Sequence, residues 1–110
     1  MNTPEDEIKK LQSIFPGATL WPDGNRTIAF FPSIKIESDG KTRQVDALLY
    51  PYDRDGYTSR LFLSEPFTNK GQNWNVFAIC GRTWHACSWN GVPSNIPWLE
   101  ILLAHLRVLA

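Results

Sequence analysis

Near the end of the chain, Trp98, Leu99, Leu102, Leu103, Leu106 and Leu109 recur at helical spacing, and a stripe that broad has to be covered by another layer. What precedes it alternates with a period of two. Thr27 to Phe31, Ile34 to Glu37, Val45 to Tyr50, Arg60 to Leu63 and Trp74 to Cys80 read as short strands, with Pro32 marking a bulge or an edge. Ser38-Asp39-Gly40-Lys41 and Pro51-Tyr52-Asp53-Arg54-Asp55-Gly56 are turns by composition. At the other end, Thr3-Pro4-Glu5-Asp6 reads as a capped helix start, and Ile8, Leu11, Ile14 and Phe15 supply a single apolar stripe that Pro16-Gly17 ends. Ser94 or Asn95 can cap the last helix. The expected architecture is α+β: an antiparallel meander of about four strands packed against an N-terminal and a C-terminal helix, in a single domain over 1–110.

Composition narrows the function classes. A chain of 110 residues supports one core. Eleven basic and eleven acidic residues leave no net charge, so nothing draws it to a phosphate backbone, and nucleic acid is not an expected partner. No apolar run reaches the roughly 18 residues of a membrane span. The start, Met1 to Lys10, lacks the basic and apolar segments of a signal peptide, which makes the cytoplasm the expected compartment. The two cysteines are too few for a disulfide framework. Cys80, His85, Cys87 and His105 make a thin ligand set for zinc, and neither a metal nor a cofactor is expected.

The candidate chemistry lies between Asn73 and the last helix. An apolar strand, Val76 to Ile79, delivers Cys80 into a Gly81-Arg82 turn. A thiol is a nucleophile when it is exposed and partly ionised, and a neighbouring arginine favours both conditions. Against this stands the ordinary fate of a free cysteine, which is burial as a small hydrophobe. Cys87, within Trp84-His85-Ala86-Cys87-Ser88-Trp89, carries the same ambiguity. His85 falls on its strand face as a possible base, although a solvated histidine is commoner. The tryptophans at 74, 84, 89 and 98 read as aromatic core ahead of a substrate cage, and Asp53-Arg54-Asp55 as a solvated turn.

The order of these segments resembles the ubiquitin-conjugating enzyme (UBC) fold and its non-catalytic relative, the RWD domain. Glu5-Asp6-Glu7-Ile8-Lys9-Lys10-Leu11-Gln12-Ser13-Ile14-Phe15-Pro16 is similar to the opening helix of RWD domains. The stretch from Leu48 to Ser64 is similar to the loop and strand where both families carry a Pro/Tyr connection. Asn73, Ile79-Cys80, Trp89 and Leu99 to Leu109 follow the UBC order, although no His-Pro precedes Asn73. Gly81-Arg82 with Trp84 resembles bacterial UBC-like proteins of ubiquitin-like conjugation operons. The resemblance implies that Cys80, with Cys87 as second candidate, accepts a ubiquitin-like protein as a thioester. It implies Asn73 as oxyanion support, and a ubiquitin-activating-like enzyme and an amine-bearing protein target as partners. The alternative is an RWD-like interaction module without chemistry.

Overall fold

The computed structural model describes residues 3–38, 40–54, 56–67, 74–87 and 91–109. Helix α1 (Pro4–Gln12) opens on a capping box. The Asp6 amide donates to Thr3 Oγ1 at 3.2 Å, and the Thr3 amide donates to the Asp6 carboxylate at 3.3 Å. Those bonds occupy amides that the first turn leaves without helical partners. The helix stops at a Ser13 cap, three residues short of Pro16, so Ile14 lies outside it.

Six strands follow: β1 (Thr19–Asp23), β2 (Arg26–Ser38), β3 (Lys41–Tyr50), β4 (Arg60–Leu63), β5 (Trp74–Ile79) and β6 (Arg82–Cys87), before helix α2 (Trp98–Leu109). They form one antiparallel sheet in the order β1-β2-β3-β4-β6-β5. This corrects the expected meander of about four strands. Two of the six, β1 and β6, went unread, and the chain leaves the simple meander after β4 to place β5 outside β6. Pro22 hid β1, because proline argues against a strand except at an edge, where β1 in fact lies. β6 was hidden by its turn. Ile79 pairs directly with Arg82, so Cys80-Gly81 is a two-residue hairpin turn, a position where Asn-Gly or Asp-Gly is the usual signal.

The long strand β2 bends at a bulge. Phe31 opposes Ala47 and Ile34 opposes Val45, so Pro32 and Ser33 together face Asp46 alone. Ser33 takes a left-handed φ of 50°, and its amide donates to Asp46 Oδ1 at 2.8 Å. The extra residue keeps Phe31 and Ile34 on the same face, and both reach the main core.

Both helices cover one face of the sheet. Leu11, Ile101 and Leu102 meet Ala29, Phe31, Leu49 and Leu63 there with essentially no exposure. The other face carries no helix among the described residues and curls over its own side chains. Trp21 of β1 reaches Trp84 of β6 with ring centroids 6.5 Å apart, although three strands separate them in the sheet. Ile28, Leu48 and Phe62 are buried beneath this aromatic cluster. Guanidinium groups close its rim: Arg82 lies 4.7 Å from the Trp84 ring, Arg54 5.0 Å from Tyr50, and Arg60 4.8 Å from Phe77. Stacked arginines cover apolar rings while their charge stays near water or a partner. No helix of the described residues is long and apolar enough to cross a membrane.

Candidate functional site

Cys80 occupies the first central position of the β5–β6 turn, with φ of 51°, followed by Gly81 at 75°. Two successive left-handed residues define the type I′ hairpin turn, whose twist matches that of the flanking strands. Glycine adopts this conformation freely, whereas a cysteine there carries strain of about 1 kcal/mol. The thiol is exposed and donates to the Pro22 carbonyl at 3.2 Å. It thereby fastens the hairpin tip to β1 at the open end of the curl.

The electrostatics of this thiol differ from the expectation. Arg82 points away from it, donating to Asp46 Oδ2 at 2.9 Å and stacking on Trp84. Desolvation against β1, followed by the Asp23 carboxylate, raises the Cys80 thiol above its ordinary pKa. Both effects disfavour the thiolate. Asp23 is itself engaged, accepting from the Tyr50 hydroxyl at 2.8 Å and pairing with Arg54 at 3.5 Å. Asn73 lies outside the described residues, as do Ser88, Trp89 and Asp55.

Cys87 sits at the far end of β6, about 17 Å from the turn for a strand of this length. It faces the helices, where a cavity of about 10 Å³ lies between Arg60, Trp74, Cys87 and His105. That volume takes roughly one water and admits no substrate. Burial raises the Cys87 thiol, against smaller lowering effects from its own backbone and from Arg60. His85, half-buried opposite Leu63 and Val76, is a strand residue between two neighbours. Among the described residues, no three His, Cys, Asp or Glu side chains gather as metal ligands.

Two features were not legible as sites. His105 is buried on α2, and its Nε2 lies 3.0 Å from Ser59 Oγ. Ser59 gives its single proton to the Val92 carbonyl at 2.8 Å, so the imidazole is the donor, neutral with Nε2 protonated. This pair ties α2 to the segments before β4 and before the last helix. Its hydroxyl proton points away from the imidazole, which is the wrong polarity for a base-activated serine.

The second feature is a groove. Ile14, 53% exposed, stands with Phe15 and Pro16 across from Pro32, lining a cavity of about 290 Å³ that ends at Lys35. Gly17 permits this approach, since a Cβ there would meet Pro32 Cγ at 3.0 Å. Beyond Lys35 a second recess of about 360 Å³ runs past Leu103 and Leu106 to Arg107, with Leu103 40% exposed. The signal available in the sequence was the helix stripe itself. Ile14 and Leu103 both belong to apolar stripes read as core, yet both stay in water.

Comparison with family models, curated proteins and solved structures finds no match to this chain.

The turn geometry carries a direct expectation. Replacing Cys80 with asparagine creates the preferred Asn-Gly dipeptide and relieves the left-handed strain. Cys80→Asn will raise unfolding free energy by about 0.5–1 kcal/mol in urea titration, net of the weak thiol bond to Pro22. A loss of stability would mean that the clasp to β1 outweighs the turn preference.

Proposed function

We propose that the chain is a non-catalytic protein-interaction module that receives an apolar segment of a protein partner in the groove between α1, the β2 bulge and α2. The observation that carries this reading is the exposed Ile14 beside the Phe15, Pro16 and Pro32 cavity, continued by Leu103 across Lys35. Exposed large apolar side chains aligned along a recess lose water on docking, and this is the usual source of affinity in helix- and peptide-binding grooves. Lys35 at the junction of the two recesses and Arg107 at the α2 end carry positive charge, with Glu37 the one acid beside them, which suits a partner segment that carries an acidic residue. A cytoplasmic setting fits two free thiols.

A second reading retains one observation in its favour, the exposure of Cys80 at a turn tip. In that reading a ubiquitin-like protein, loaded by an activating enzyme, is held on Cys80 as a thioester and passed to an amine of a target. The raised thiol pKa, with Arg82 turned to Asp46 instead of the thiol, weighs toward the module.

Variants separate the two. Affinity capture from the host cells is run with the wild type, Ile14→Asp and Cys80→Asn. The module reading expects Ile14→Asp to lose the partner by about tenfold or more, since a buried unpaired carboxylate costs several times RT, while Cys80→Asn retains it. A surface change at Ile14 leaves stability within about 0.5 kcal/mol. A reducible adduct that depends on Cys80 and survives Ile14→Asp would establish the thioester reading instead.

A further inference from the structure

The two edges of the sheet are unlike. The β1 edge contains Pro22, which has no amide to offer, and Asp23, two standard means of discouraging strand addition. The β5 edge, Trp74-Asn75-Val76-Phe77-Ala78-Ile79, has no proline and no charge. Among the described residues its only sheet neighbour is β6, and Val76 is 66% exposed.

The hairpin fixes which backbone groups this edge presents. In a two-residue hairpin the closing pair, Ile79 and Arg82, exchanges both hydrogen bonds. Phe77 with Trp84 and Asn75 with Ala86 follow as bonded pairs on alternate residues. The amides and carbonyls of Trp74, Val76 and Ala78 therefore point outward, away from β6. Their side chains share the helix-side face, Trp74 half-buried against the Phe67 ring at 6.3 Å and Ala78 exposed.

From this we infer that β5 pairs with β5 of a second copy of the chain, antiparallel, about a two-fold axis at Val76. That register places Val76 against Val76 of the other copy and the large Trp74 against the small Ala78. It matches every outward donor with an outward acceptor. Because the strand is uncharged, the two-fold puts no like charges opposite one another, which is the condition self-pairing requires. The partner is then a second copy by complementarity of the strand with itself, and the pairing extends each sheet into a continuous one with the helices of both copies on the same side. The inference concerns the edge opposite β1 and is independent of the groove beside α1.

A pairing this short falls at or below the smallest stable interfaces of about 1,000 Å², so the dimer forms in the high micromolar to millimolar range. Sedimentation velocity on the full chain from about 10 µM to about 1 mM will show a reversible monomer–dimer equilibrium. Val76→Lys places two cations face to face and will weaken association by at least about tenfold. Val76→Glu will do the same. An equimolar mixture of Val76→Lys and Val76→Glu will recover dimer, because only the two-fold register brings position 76 against itself. Circular dichroism of each variant checks that the monomer is folded, as expected for a residue so exposed. A wild type that stays monomeric at about 1 mM, substitutions without effect, or no recovery on mixing folded variants would each overturn the inference. The first of these outcomes would leave the edge to an extended segment of another protein.

Discussion

Trp84→Ala will cost the fold about 4 kcal/mol, the range expected for emptying a fully buried tryptophan site. Trp84 has no exposure and joins parts of the sheet that the strand order keeps apart. Its ring meets Trp21 and Phe30 edge-on at 6.5 and 6.3 Å, and its indole Nε1 donates to the Ile79 carbonyl at 3.1 Å. Removing it leaves a cavity, takes from the Arg82 guanidinium the nearer of its two ring platforms, and removes the side-chain donor to the Ile79 carbonyl, which keeps its backbone partner across the hairpin. Against a total stability of roughly 5–15 kcal/mol for a domain of this size, the variant keeps about 1–11 kcal/mol. Urea denaturation followed by near-ultraviolet circular dichroism measures the loss. The clasp from Cys80 to Pro22 closes the same curl, so alkylation of Cys80 will accelerate in the variant. A loss below about 2 kcal/mol would mean that the cluster collapses to fill the site.

The second large effect is a pH dependence centred on His105. Desolvation, with a smaller contribution from the Arg60 charge, lowers its pKa from 6.5 to about 4. The groups facing it are the Ser59 hydroxyl at 3.0 Å and, around the small cavity, Arg60 and the Cys87 thiol among apolar side chains. None is an anion that would welcome a second proton on the ring. Between the two values the unfolded chain binds a proton that the folded chain refuses. Stability is therefore complete above about pH 6.5 and falls as the pH is lowered toward about 4, by about 3 kcal/mol in all. Asp46, held low first by the Ser33 amide and then by Arg82, adds its own loss below the window, as the pH falls under the ordinary carboxylate value of 3.8. Urea titrations at several pH values on the wild type and His105→Gln separate the contributions. The glutamine variant will keep the carboxylate dependence and lose the histidine part. Equal slopes for the two proteins would place the titration elsewhere.

How much of the candidate site was legible differs residue by residue. Cys80 was correctly placed at the end of an apolar strand beside Gly81-Arg82, because Val76 to Ile79 is a continuous apolar run and Gly81 signals a turn. Its chemistry was not legible. Arg82, adjacent in sequence, turns to Asp46 across the sheet, and Asp23 arrives from β1 to oppose ionisation. The Ser59–His105 pair joins residues far apart in the chain, and no local pattern announces it. The groove went unseen for the opposite reason, since Ile14 matched a helical stripe that the helix itself does not reach.

What the residues determined on their own is local: Thr3 as a helix cap, an irregularity at Pro32, a turn after Cys80, and an apolar α2 that needs a sheet to lie on. These follow from bonds and steric limits within a few positions of each residue. The order of the strands, the curl that brings Trp21 to Trp84, and the edge on which β5 lies were decided only in three dimensions. They depend on which apolar faces meet after the chain has closed its long loops, and a strand's own sequence is nearly silent about its neighbours.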